Sequence, residues 1–318
     1  MNTIPTTFDE HQITRTIIGG KPNVNPDVLN ISVILLNNSG SHFKINVYKN
    51  LLECNFESII SIEHDPTNST IDDISKKMPE IKFIIPQEET TNGELINLAM
   101  SEIKSDYVLV LKDTLYIPSK IILQNLASRL TESGVFCIVP WLSDKNNNTL
   151  PCIFSPSAEK SHFTVNSSSS VSDGVKTLYP FDNIALYNRK KFIELGGFDW
   201  TIQSNYWQNL DLAVRSWLWG EETRLTSLLH FSYIDDTPIE DHTVNMDYLR
   251  YHLKNEIAKL KMEQAYVKNS SFLNFLFQSS CGFIEAKRQF KLAKKWILRN
   301  KYRFKMDLQS FVENWNNQ

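Results

Sequence analysis

Apolar residues enter this chain as short continuous runs separated by helically spaced ones. Ile31-Ser32-Val33-Ile34-Leu35-Leu36 is the first run, and its length suits a strand buried on both faces. Phe43, Val47, Leu51 and Leu52 then recur at helical spacing. Residues 58–62 and 81–85 read as a second and a third strand. Helical spacing returns at Leu95, Leu98, Ala99 and Ile103, and residues 107–111 form a fourth strand. Strands that alternate with helices predict an α/β fold, a mainly parallel sheet flanked by helices. Ligands bind such sheets at the carboxyl ends of the strands. That singles out Asn37 and Asn38, then Glu63 to Asp65, then Lys112 to Thr114.

The rest of the chain divides by pattern. Residues 1–29 are polar and hold Pro5, Pro22 and Pro26, which predicts an extension on the surface. Residues 30–240 make the α/β domain. Within it, residues 155–175 are poor in apolar positions and rich in serine, which predicts a mobile loop. Residues 241–318 show helical periodicity and no strong strand signal, which predicts a C-terminal helical appendage.

Length and charge narrow the classes. A chain of 318 residues holds one large α/β domain plus an appendage. A net charge of −3 gives no case for nucleic-acid binding. No apolar run approaches the ~20 residues that span a bilayer. The polar first residues do not have the pattern of a secretory signal. Cys54, Cys137, Cys152 and Cys281 are widely spaced, which argues against structural zinc and fits a reducing cytoplasm.

Several residues could carry chemistry. Glu63, after the second strand, either accepts hydrogen bonds from a nucleoside or is a solvated loop acid. Asp113, after the fourth, offers a carboxylate to a hard cation on a diphosphate, and Lys112 beside it could neutralise phosphate. Leu195-Gly196-Gly197-Phe198-Asp199 marks a helix stop and a tight turn. Asp211 follows in what reads as the first turn of another helix, where it either does chemistry or complements the dipole. His230, after Leu228-Leu229, is either a ligand or a structural histidine.

Taken in order, these pieces resemble the family 2 glycosyltransferases over about residues 31–235. The most specific parts are Gly196-Gly197-Phe198-Asp199, with Arg189 and Phe192 before it, and Asp211-Leu212 with Arg215. The resemblance implies the GT-A fold and inverting transfer of a hexosyl group from a nucleoside-diphosphate sugar. The acceptor would be a glycan or a lipid-linked molecule, in surface polysaccharide or glycoconjugate synthesis. It places Asn37, Glu63 and Asn97 at the nucleotide, Asp113 and His230 on a divalent cation (Mn²⁺ or Mg²⁺), and Asp199 and Trp207 at the acceptor. Two departures stand out. Lys112-Asp113-Thr114 replaces the family's D-x-D, and Gln208-Asn209 replaces its E-D pair. An amide is no base near neutral pH, which leaves Asp211 as the nearest catalytic carboxylate. The same departures suit a partner subunit that keeps the fold and has lost the chemistry.

The tail adds one more feature. Between Phe283 and Lys305 there are nine basic residues and one acid, with Phe283, Phe290, Ala293 and Ile297 at helical spacing beside Trp296. Either this helix lies on an anionic membrane surface, at the inner face of the cell membrane, or its apolar side packs on the main domain and its basic side is solvated.

Overall fold

A computed structural model describes residues 11–23, 25–37, 44–63, 70–159, 162–278 and 282–315. Asn38, Phe43, Asp65 and Cys281 lie outside the described residues. The chain runs β1 (Arg15–Gly19), β2 (Ile31–Asn37), α1 (Lys44–Leu52), β3 (Ile59–Glu63), α2 (Thr70–Lys77), β4 (Ile81–Pro86), α3 (Asn92–Glu102) and β5 (Tyr107–Lys112). There follow β6 (Leu115–Tyr116), α4 (Gln124–Glu132), β7 (Cys137–Ser143), β8 (Ile153–Glu159), β9 (His162–Ser168), β10 (Ala185–Asn188), α5 (Arg189–Leu195), α6 (Asn205–Leu218) and β11 (Thr223–Tyr233). The last part comprises α7 (Met246–Asn255), β12 (Ala258–Lys261), β13 (Gln264–Val267), α8 (Ser271–Gln278), α9 (Phe283–Arg299) and α10 (Leu308–Asn314).

The continuous apolar runs become the centre of a sheet ordered β1-β4-β3-β2-β5-β10-β7-β11-β6. β4, β3, β2 and β5 are parallel neighbours. β10 runs antiparallel between β5 and β7, and β11 lies parallel to β7. Every residue of β2 is buried because helices cover both faces. On one face Val33, Leu35, Leu109 and Leu111 meet Tyr48 and Leu51 of α1. On the other Ile34, Leu36, Val108 and Val110 meet Leu95, Leu98 and Ala99 of α3 and Phe192 of α5. The fold class is the expected one, a largely parallel sheet flanked by helices.

Three local expectations change. Part of the polar N-terminal extension is not merely draped on the surface. β1 pairs with β4 from Arg15↔Pro86 to Gly19↔Lys82 and closes that edge of the sheet. The serine-rich segment is largely a hairpin, β8 paired with β9, because Phe154 is buried and Phe163 and Val165 pack beside it. The appendage also holds a short hairpin, β12 with β13. Its helices share a core with α6: Leu210, Ala213 and Trp217 meet Leu249 and Leu253 of α7, Ala293 and Ile297 of α9, and Phe311 of α10. From Phe290 onward the apolar stripe of the basic helix therefore faces inward, whereas Phe283 at its start is exposed.

α6 thus stands between the sheet, through Leu212, and the appendage. It approaches the start of α3 closely, where Thr91 and Glu94 form a capping box. A Cβ on Gly93 would lie 2.8 Å from Phe198 Cβ and closer still to the Gln208 carboxamide. Gly93→Ala should therefore destabilise the protein by about 1–3 kcal/mol through overpacking. Urea denaturation checks this, and a variant as stable as the wild type would contradict the tight α3–α6 contact.

Candidate active site

The ends of β2 and β3 carry a polar cluster in an otherwise apolar sheet. Glu63 is 3% exposed and Asn37 is 2% exposed. Asn37 Nδ2 donates to Glu63 Oε1 at 2.7 Å and to Ser61 Oγ at 2.5 Å. Tyr48 of α1 donates to Glu63 Oε1 at 3.0 Å. Burial and the neighbouring Glu63 carboxylate both push the Tyr48 pKa up, so its hydroxyl remains a donor. Asn37 Oδ1 is buried and has no hydrogen-bond partner among the described residues. An acceptor left in that state costs free energy until a donor reaches it.

A cleft of about 720 Å³ opens between the end of β4, the neighbour of β3 in the sheet, and the start of α6. Its lining includes Gln87, Glu88, Thr91, Asn92, Gln203 and Asn205. Asn205 leads to a second polar group. Its Oδ1 accepts from Asn183 Nδ2 at 2.8 Å. Asp182 receives Lys112 Nζ at 2.5 Å and the Tyr233 hydroxyl at 3.1 Å. Asp182 and Asn183 hold left-handed φ angles of 55° and 63°, a conformation that Asp and Asn adopt at some cost. Glu240 follows on the segment after β11 and accepts from Tyr179 at 2.8 Å.

The sequence-predicted residues fall into two groups. Asn37 and Glu63 come together as described. Asn97, expected at the nucleotide, instead grips the turn after α5: its Nδ2 donates to the Phe198 carbonyl at 2.9 Å and its Oδ1 accepts from the Phe198 N–H at 2.9 Å. Trp207, expected at the acceptor, is 7% exposed and donates Nε1–H to the Thr243 carbonyl. Asp199, also expected there, is 1% exposed; it accepts from Thr201 at 2.7 Å and from Lys254 Nζ at 2.9 Å.

Asp211 needs the largest correction. It lies in the second turn of α6, not the first, and is fully enclosed. Lys254 Nζ at 2.8 Å, Asn255 Nδ2 at 2.8 Å and Arg215 at 3.0 Å occupy its two oxygens. Enclosed in this way it reaches no acceptor hydroxyl. Burial alone would raise its pKa, but Lys254 and Arg215 more than offset that and hold it below the usual range. The amides Gln208 and Asn209, where the sequence resemblance leads one to expect acids, are bridges. Gln208 joins the Gly93 N–H, the Thr91 hydroxyl and the Asp199 carbonyl. Asn209 donates to the Pro180 carbonyl at 2.7 Å.

Asp113 is buried at the end of β5. His230 hydrogen-bonds with Ser143 Oγ at 3.0 Å and stacks on Trp141 at 4.0 Å, and burial lowers its pKa. No three His, Cys, Asp or Glu side chains converge as metal ligands among the described residues. Mg²⁺ and Mn²⁺ on a diphosphate do not require such a cage, since one carboxylate, phosphate oxygens and water suffice. Asp113 fits that part, whereas His230 is engaged within the β7–β11 ladder.

With this geometry in hand, the fold defines a class: the chain has the fold of GT-A glycosyltransferases. It superposes on the crystal structure of GalNAc-T7 with UDP, GalNAc and Mn²⁺ at a TM-score of 0.62 and 10% identity, covering 92% of this chain. It spans 57% of that chain's length. Residues 1–349 of TarS from S. aureus are also similar (TM-score 0.48, 15% identity, 90% of this chain and 91% of that one). So is the mannosyltransferase PcManGT from Pyrobaculum calidifontis in complex with GDP-Man and Mn²⁺ (TM-score 0.45, 12% identity, 88% and 75%). No family model and no curated protein matches the sequence.

The Asp211 network makes a prediction. Removing one partner of a buried ion pair typically costs about 3–5 kcal/mol, and Asp211→Asn should destabilise the fold by that order at neutral pH. Asp211 titrates lower in the fold than in the unfolded chain, so its contribution is present above the unfolded value of 3.8 and is lost as pH falls through the folded one. The difference between wild type and variant should therefore shrink in acid. Equal stability in denaturant titrations at neutral pH would contradict this.

Proposed function

We propose that this protein transfers a sugar from a nucleoside diphosphate to a hydroxyl acceptor. The observation that carries this reading is the Asn37–Glu63–Tyr48 cluster at the carboxyl ends of β2 and β3 in a GT-A fold. A nucleoside would meet the Asn37 carboxamide and the Glu63 carboxylate there. A divalent cation carried on the diphosphate against Asp113 would offset the phosphate charge. When bound, that cation would stabilise the leaving diphosphate. Direct displacement by the acceptor gives inversion at the anomeric carbon. The acceptor is a glycan or lipid-linked hydroxyl, which suits polysaccharide or glycoconjugate synthesis. The amides Gln208 and Asn209, in place of acids, favour a second reading: a donor-binding subunit without turnover. Calorimetry with UDP and GDP tests the shared part. Asn37→Ala should weaken binding by about 1–3 kcal/mol, the usual cost of an unmatched polar group. Unchanged affinity would remove Asn37 from the nucleotide site.

The same proposal includes a membrane surface. No described helix is long and apolar enough to cross a bilayer. At the α8–α9 end, Phe277 and Ile284 are each 84% exposed, with Phe283 and Leu273 also exposed. Lys287, Lys291 and Lys295 are exposed along α9 beside them. Apolar tips next to a basic row match an anionic lipid surface. The intact chain should sediment with vesicles containing phosphatidylglycerol, and added salt or the triple variant Lys287→Glu, Lys291→Glu, Lys295→Glu should release it. Equal binding to pure phosphatidylcholine, or none to either, would contradict the docking surface.

A further inference from the structure

The acid that the family carries beside Gln208 is absent, and Asp211 is sealed in the interior. A carboxylate for the acceptor proton must therefore come from elsewhere. Two acids stand between β5, the 3₁₀ turn Phe181–Asn183 and the segment after β11. Asp182 is 5% exposed and its two oxygens receive Lys112 and Tyr233, so both are already engaged. Glu240 differs. Its side chain is 17% exposed. Tyr179 donates to Oε2 at 2.8 Å, and His242 Nε2 lies 3.8 Å from the same oxygen. Oε1 accepts no hydrogen bond from the described residues.

We propose that Glu240 is the general base of the transfer, in place of the missing acid at position 209; this rests on the glycosyltransferase reading. A lone pair on the acceptor oxygen forms the new bond to the anomeric carbon. The bond from that carbon to the phosphate oxygen breaks, and its electron pair leaves with the nucleoside diphosphate. The acceptor proton passes to the Glu240 carboxylate and from there to water. Tyr179 acts as a positioning residue that fixes the carboxylate through Oε2.

The electrostatics suit the role. Burial pushes the Glu240 pKa up, the Tyr179 hydrogen bond pulls it back and nearby Asp182 raises it, to about 7. The groups that face it are Tyr179, Asp182 with its partner Lys112, Tyr206 from α6, Tyr233 from β11 and His242 on its own segment. A carboxylate whose pKa is raised toward neutrality is a stronger base than an ordinary one and better suited to take a hydroxyl proton. The plain alternative is an acid that only anchors Tyr179. Glu240→Gln separates the two, because the carboxamide oxygen still accepts from Tyr179 while its basicity is gone.

The test measures release of nucleoside diphosphate from a panel of UDP- and GDP-sugars, with water as acceptor, alongside UDP and GDP binding. Wild type should show an acidic limb in kcat/KM near pH 7. Glu240→Gln should lower turnover by ~10²–10⁴-fold, keep melting temperature and diphosphate affinity, and lose the limb. Tyr179→Phe should move the limb to higher pH, since it removes a hydrogen bond that favours the ionised form. Full turnover by Glu240→Gln in an active protein overturns this inference alone. A wild type that binds diphosphate and cleaves no donor of the panel overturns the transferase reading and this inference together.

Discussion

A single buried ammonium holds the functional half of this molecule in place. Lys254 Nζ sits between Asp199 at 2.9 Å and Asp211 at 2.8 Å, with all three side chains essentially excluded from water. It also lies 5.2 Å from the centre of the Trp296 ring. The turn after α5, helix α6, helix α7 and helix α9 thus meet at one charge. Taking a cation and two carboxylates out of water is costly, and the arrangement persists only because each oxygen is matched. Arg215 and Asn255 complete the matching around Asp211. The network fixes the angle of α6, and α6 in turn presents Asn205, Gln208 and Asn209 to the turn at Pro180, the start of α3 and the cleft.

The parallel strands were legible because burial on both faces leaves an unmistakable apolar run, as in β2 and β5. The strand-end rule then pointed to Asn37 and Glu63, which do come together. The acids of the second half misled for a physical reason. An Asp in a specific motif reads as chemistry, yet pattern alone does not reveal a lysine more than forty positions later that will neutralise it. Lys254 itself lies in an amphipathic stretch where a solvated face is the ordinary reading. Asn97 likewise turned out to hold backbone rather than ligand. The hairpin of β8 and β9 escaped notice because its serine content masked the few apolar positions that anchor it.

Asp182 and Glu240 were illegible for a different reason. Both lie in irregular segments, where no period assigns a direction to a side chain. The Pro180-Phe181-Asp182-Asn183 sequence just before an apolar strand was the available hint, since Asp and Asn are the residues that tolerate left-handed backbone. The motif acids of this half serve the frame. In our reading, the acid that serves the reaction, Glu240, sits on irregular backbone after β11.

The central claim is that a nucleoside diphosphate lies over the carboxyl ends of β2, β3 and β5. Hydrogen–deuterium exchange of the intact protein with and without saturating UDP or GDP tests it most directly. The account predicts slowed exchange at residues 59–63, 86–94 and 107–113 and little change across the shared core of α7, α9 and α10. Protection confined to residues 246–315, or no protection by either nucleotide, would contradict it.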